Sequence, residues 1–124
     1  MKSSAAAIFL AHGSRDPRWR QPFEKFLQTA ASRLPGRQVR LAYMEMCEPT
    51  LLQVAEECIQ NGAQEVTVFP LFLSGGGHVK NDIPHLVEEL KTQFPSVKVR
   101  LTEALGETPE VHQAFLDAAV RLVD

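Results

Sequence analysis

The sequence predicts an α/β fold, a small open parallel sheet of four strands in the order 2-1-3-4 with helices on both faces. Three observations carry that expectation. Near-continuous apolar runs alternate with stretches whose apolar residues recur at helical spacing. The connections between them are short and marked by glycine and proline, which favours βαβ units over hairpins. The chain has 124 residues, enough for one domain over residues 1–124 with a modest core. Right-handed crossovers leave 2-1-3-4 as the natural small arrangement.

The elements follow in order. Ala5 to Ala11 (AAAIFLA) is a run suited to a strand covered on both faces. Trp19, Phe23, Phe26, Leu27, Ala30 and Leu34 then mark a first helix, with Pro22 expected in its first turn and Pro35-Gly36 as its stop. Val39 to Met44 is a second strand. Pro49 is expected to open a second helix, with Leu52, Ala55, Cys58 and Ile59 inward and Asn61-Gly62 at its end. Val66 to Leu73 (VTVFPLFL) is a third strand, whose regular pairing Pro70 should end early. Ile83, Leu86, Val87, Leu90 and Phe94 mark a third helix that Pro95 ends, and Val97 to Leu101 is a fourth strand. Thr108 caps a last helix with Pro109 at its first position, and Val111, Phe115, Ala118 and Leu122 are expected to face inward.

The formal net charge of -2 and the absence of like-charge blocks argue against a nucleic-acid partner. Cys47 and Cys58 form neither a metal pattern nor a disulfide framework, so a reduced, cytoplasmic setting is expected. The apolar run near the N-terminus is too short for a membrane span and passes into a glycine turn, which reads as a strand and not a leader.

In an open α/β sheet, ligands sit beyond the carboxyl ends of the strands where the strand order reverses. Here that point lies between strands 1 and 3. His12 follows strand 1, His78 follows strand 3, and Glu45 ends strand 2 beside strand 1. Imidazole and carboxylate are common ligands for divalent transition metals and the usual proton acceptors near neutral pH. Gly75, Gly76 and Gly77 permit close approach of a ligand to the backbone, or a plain flexible turn. Nucleotide signatures fail, because Lys80 stands where GxGxxG needs its third glycine and no GxxxxGK[ST] is present. HGSR lacks the arginine of a phosphatase RHG motif, since Ala11 precedes His12.

AHGSRDP at Ala11 to Pro17, YMEMCEPTL at Tyr43 to Leu51 and VFPLFLSGGGHVKNDIP at Val68 to Pro84 together resemble the CbiX/SirB family of sirohydrochlorin chelatases, within the class II chelatases. The resemblance extends over nearly the whole chain, and the third segment is its most specific part. It implies a lyase-type enzyme that inserts a divalent metal into sirohydrochlorin without ATP: Co2+ for cobalamin, Fe2+ for sirohaem, or Ni2+ in related archaeal forms. The metal would be a substrate, and no permanently bound cofactor is expected. The family's two histidines fall on His12 and His78, and its glutamate on Glu45, with Glu48 a near alternative. Gly13, Ser14 and Arg15 after strand 1, and Ser74 with Gly75, Gly76 and Gly77 after strand 3, are the expected substrate contacts. The short length resembles the single-domain form that pairs as a homodimer. The rival readings are a metal-delivery or storage protein and a tetrapyrrole carrier without chemistry.

Overall fold

The computed structural model describes residues 4–74 and 78–124, and of residues 78–80 the backbone alone. Four parallel strands form one sheet in the order β2-β1-β3-β4, as the sequence predicts. β1 (Ala5–Ala11), β2 (Gln38–Tyr43), β3 (Glu65–Pro70) and β4 (Lys98–Leu101) alternate with α1 (Pro17–Arg33), α2 (Leu51–Gln60), α3 (His78–Gln93) and α4 (Pro109–Leu122). A short 3-10 turn, Leu105–Glu107, precedes α4.

Strand β1 is buried along nearly its whole length because both faces are covered. On one face Ile8, Leu10, Val66 and Val68 pack with Leu51, Val54 and Cys58 of α2 and Ile83, Val87 and Leu90 of α3. On the other, Ala7, Phe9, Val39, Leu41 and Tyr43 pack against Trp19, Phe23, Leu27 and Ala30 of α1. Full burial of each large apolar side chain stabilises the fold by about 1.5–3 kcal/mol, so these two layers supply most of the driving force. Buried Gln38 gives its side-chain N–H to the Cys58 carbonyl at 3.0 Å, tying the start of β2 to the end of α2.

Two helix starts differ from expectation. Asp16 caps α1 by accepting from the Arg18 N–H at 2.9 Å, and Pro17 takes the first position. Pro22 therefore lies inside the helix and not in its first turn. α2 begins at Leu51, after Pro49, because Thr50 and Gln53 form a capping box: the Thr50 hydroxyl accepts from Gln53 N–H at 3.2 Å and the Gln53 side chain accepts from Thr50 N–H at 2.8 Å. Strand β3 ends at Pro70, whose ring offers no donor to the ladder, so the segment 71–73 is loop.

The larger difference concerns α4. Val111, Phe115, Ala118 and Leu122 were expected to face inward, yet no residue of α4 is buried, and Phe115 and Leu122 are 55% and 68% exposed. Its substantial neighbour is the 3-10 turn and not the sheet. Helical periodicity shows that a helix has an apolar face, not which surface receives it.

Candidate functional site

Register builds the site. The β1–β2 ladder continues past its last strand pair, Ala11 with Tyr43: Met44 N–H donates to Ala11 O at 2.8 Å and Glu45 N–H to His12 O at 3.1 Å. His12 and Glu45 are thereby fixed side by side at the carboxyl end of the sheet. Gly13 next to them has φ +107°, and a β-carbon there would collide with the Glu45 carbonyl. Met46, at φ 72°, then turns the chain away. The chain returns through Pro49, whose carbonyl accepts from Tyr43 N–H at 2.9 Å.

The His12 Nε2 lies 3.2 Å from the Glu45 carboxylate, and its Nδ1 lies 3.4 Å from the Gly13 carbonyl. Both neighbours of the ring are acceptors. A neutral imidazole has only one N–H, so one ring nitrogen presents a lone pair towards an acceptor, an arrangement that suits a cation or a transferable proton. The two side chains are 39% and 47% exposed, so the pair is open to whatever approaches the rim. A metal bound to nitrogen and oxygen at about 2.0–2.2 Å holds such ligands roughly 3 Å apart, which matches this spacing. Among the described residues no cluster of three or more His, Cys, Asp or Glu forms a metal site. Within the described residues the pair therefore stands as two donors.

Glu48, the alternative carboxylate, points elsewhere: it accepts from the Gln53 side chain at 2.8 Å, beside the start of α2. Ser14 serves its own turn, its hydroxyl accepting from Asp16 N–H at 3.1 Å. Arg15 is exposed in that turn. The Arg18 guanidinium pairs with Asp16 at 3.1 Å and holds that carboxyl below the usual carboxylate range. Cys47 is half-buried and packs against the α1-side core.

Across the switch point, the segment after β3 starts at Leu71, whose N–H donates to Leu10 O at 2.8 Å. The Phe72 ring stands edge-on to the His12 ring, with centroids 6.4 Å apart and planes at 86°. Phe72 is half-buried against the core, so it joins the site and the packing at once. Ser74 is exposed at the same rim. Gly75, Gly76 and Gly77 lie outside the described residues. His78 opens α3 at this rim, and its side chain lies outside the described residues.

One contributor escaped sequence reasoning, and a second was read mainly as core. Gly106 N–H donates to Phe72 O at 2.8 Å, and a β-carbon at Gly106 would strike the Phe72–Leu73 backbone. This glycine sets where Phe72 stands. The available signal was a glycine in the loop after β4, which the strand order places beside the loop after β3. From the sequence, Leu71 and Phe72 read as apolar contacts for a flat ligand or as core, with core packing favoured, and the Phe72 ring beside His12 serves both.

A family model described as CbiX matches residues 6–122. Among curated proteins, the chain is 29% identical over 109 residues to a sirohydrochlorin ferrochelatase of Bacillus subtilis (strain 168), covering 88% of this chain and 42% of that protein. It is 34% identical over 82 residues to a sirohydrochlorin cobaltochelatase of Methanopyrus kandleri, covering 66% and 57%. The chain therefore spans about half the length of these relatives. Among solved structures, a CbiX protein from Marinobacter aquaeolei VT8 superposes with a TM-score of 0.86 at 34% identity, covering 96% of this chain and 97% of that one. The sirohydrochlorin chelatase SirB from Bacillus subtilis subspecies spizizenii, in complex with cobalt, gives 0.84 at 27% identity, covering 98% of this chain and 51% of that one.

Proposed function

The chain belongs to the CbiX family, and from that premise we propose that it inserts a divalent metal into sirohydrochlorin without ATP, with Co2+ ahead of Fe2+ and Ni2+. The observation that carries this reading is the His12–Glu45 pair, 3.2 Å apart and open to solvent at the switch point of the sheet. The names of the relatives, which include a ferrochelatase and a cobaltochelatase of sirohydrochlorin, support the same chemistry.

Metallation requires three events. The ion sheds water, two pyrrole N–H protons leave the macrocycle, and the ring bends so that its nitrogen lone pairs meet the metal. We assign His12 and Glu45 the first contact with the ion. An incomplete donor set releases an ion that a closed one would trap. His12 and His78 are the proton acceptors, since neutral imidazole suits that task near pH 7. Each proton passes to an imidazole and then to solvent as the metal–nitrogen bonds form, so two protons leave for one dication gained. Phe72 offers an apolar edge to the flat ring. Gly13, Ser14, Arg15, Ser74 and Gly75–Gly77 are the proposed substrate contacts, and Arg15 suits the carboxylates of sirohydrochlorin. The proposed metal ligands are His12, His78 and Glu45, the last in preference to Glu48, whose carboxylate is engaged by Gln53.

The single α/β unit presents the pair on an open rim, and a broad macrocycle is better enclosed between two such rims. We therefore propose a homodimer, in a cytoplasmic setting that keeps both cysteines reduced. No helix of the described residues is long and apolar enough to cross a membrane.

The test is anaerobic visible spectroscopy of sirohydrochlorin with Co2+, Fe2+ or Ni2+, comparing the protein with His12→Ala and His78→Ala. An enzyme-dependent metallation rate that falls in both variants supports the proposal. Binding of metal or macrocycle with no rate above the spontaneous one would replace it with metal delivery or tetrapyrrole carriage.

A further inference from the structure

We infer that the groove between α1 and the outer edge of β2 binds a small zwitterion of the α-amino acid type, with its carboxylate at Arg20 and the Tyr43 hydroxyl and its ammonium at Glu24. Neither His12 nor Glu45 lines this groove. The inference rests on neither the chelatase chemistry nor the homodimer.

The first observation is an unpaired hydroxyl. Tyr43 ends β2 and is 3% exposed, packed within the α1-side core. Its backbone N–H donates to Pro49 O at 2.9 Å, but its hydroxyl has no hydrogen-bond partner among the described residues. A tyrosine this buried ordinarily gives its hydroxyl a partner. Here the residue lines a groove of about 570 Å³, walled also by Arg20, Glu24, Leu27, Leu41 and Pro49. That is the size of a small-molecule site.

The second observation limits the size of the ligand. β2 is an edge strand of the sheet. Met44 N–H turns to β1 and Tyr43 N–H turns out to Pro49, so by alternation Leu41 presents its N–H and C=O to the open side. The outward groups on either side of it are engaged. At one end Pro49 O takes the Tyr43 N–H. At the other the Arg40 guanidinium donates to Val39 O at 3.0 Å. An added strand would find both flanks taken. An opening one residue wide suits a small molecule that brings its own donor and acceptor.

The third observation is the balance of charge. Arg40 and Glu48 also line the groove, and both are engaged. Arg40 pairs with Glu57 at 3.2 Å, and Glu48 accepts from Gln53 at 2.8 Å. Arg20 and Glu24 form no hydrogen bond or ion pair among the described residues. They stand one turn apart on α1, where β-carbons are about 5–6 Å apart. The Tyr43 hydroxyl lies in the field of both: burial, Glu24 and Cys47 raise its pKa, and Arg20 lowers it.

One unengaged cation and one unengaged anion beside one hydroxyl select the class of ligand. A simple anion would be repelled by Glu24, and a simple cation by Arg20. A molecule with carboxylate and ammonium on one carbon satisfies both, since the guanidinium fork matches a carboxylate. The Tyr43 hydroxyl and the Leu41 N–H are further donors for the carboxylate, and Leu41 O is an acceptor for the ammonium. Leu27, Leu41 and Pro49 supply an apolar wall, so an amino acid with an apolar side chain, such as leucine or phenylalanine, fits best.

The test is titration of the isotope-labelled full chain with L-leucine and with L-phenylalanine into the millimolar range, read by amide NMR shifts and by calorimetry. The expected result is saturable binding that moves the amides of Leu41, Tyr43 and the turn from Arg20 to Glu24. N-acetyl-leucine, which lacks the ammonium, and leucinamide, which lacks the carboxylate, are expected to bind at least about tenfold more weakly. Tyr43→Phe keeps the ring and its packing, and is expected to weaken binding about 10–100-fold, as are the surface variants Arg20→Gln and Glu24→Gln. No saturable shift with either amino acid would overturn the inference. So would a derivative that binds as tightly as its parent amino acid, or full affinity in Tyr43→Phe or in both surface variants. Binding is read on the protein without metal or macrocycle. Its failure therefore leaves the proposed metallation standing, and a missing metallation rate leaves this site standing.

Discussion

The backbone carbonyl of Glu45 occupies the space that a β-carbon on Gly13 would need. The turn after β1 and the end of β2 are therefore in direct backbone contact at the site, and the His12–Glu45 pair depends on that contact. Gly13→Ala is expected to destabilise the protein by about 1–3 kcal/mol from the positive φ alone, with the collision adding to it. Denaturant unfolding measures this. An alanine variant as stable as the parent would show that the two loops do not need this approach.

Replacing the pair's two members separates their roles. His12→Ala removes the proposed proton acceptor and is expected to lower the metallation rate by about 10²–10⁴-fold. Glu45→Gln keeps the shape but loses the negative charge, and is expected to weaken the rate by about 10–100-fold, mostly through metal concentration dependence. Rates against metal concentration distinguish the two. Glu48→Gln serves as the control, since its carboxylate faces Gln53, and a larger loss there than at Glu45 would reassign the ligand.

Gly106 offers a test at a distance from the chemistry. Gly106→Ala pushes on the Phe72–Leu73 backbone and shifts the ring that stands 6.4 Å from His12. The expected outcome is a lower melting temperature together with a raised KM for sirohydrochlorin. An unchanged KM in a destabilised variant would confine this glycine to packing.

The chain has one tyrosine, so tyrosinate absorbance reports Tyr43 alone. Burial, with Glu24 nearby, raises its pKa above the ordinary 10.0. The folded state therefore holds the proton more tightly than the unfolded chain. Stability from this group is complete below pH 10 and is lost as pH rises through the folded value. Alkaline titration should show a midpoint above that of the unfolded protein, and Tyr43→Phe should flatten the loss of stability above pH 10. A midpoint equal to the unfolded one would mean that the ring is not shielded.

Much of this was legible in the residues. The apolar runs of β1 and β3, the punctuation at Pro35-Gly36 and Asn61-Gly62, and Pro109 at the start of α4 state local preferences that the fold obeys. Because 2-1-3-4 is the natural small order once crossovers are right-handed, the same reasoning placed His12 and Glu45 on one rim. That step needed no tertiary information, as the ends of adjacent parallel strands must be neighbours.

Other features are properties of space and not of sequence. Thr50 caps α2, and the helix starts at Leu51 and not at Pro49, because a reciprocal pair of hydrogen bonds with Gln53 wins locally. The choice between Glu45 and Glu48 turns on a backbone bond from Glu45 N–H to His12 O and on a side-chain bond to Gln53, and neither has a signature in spacing. Gly106 and Phe72 belong to different loops, so their contact exists only once β3 and β4 lie side by side. The amphipathic pattern of α4 determined by itself that the helix has a broad apolar surface. Only the tertiary structure decided that its own sheet does not bury it, because the bond from Gly106 N–H to Phe72 O and the Thr108 cap fix the root of the helix at the rim.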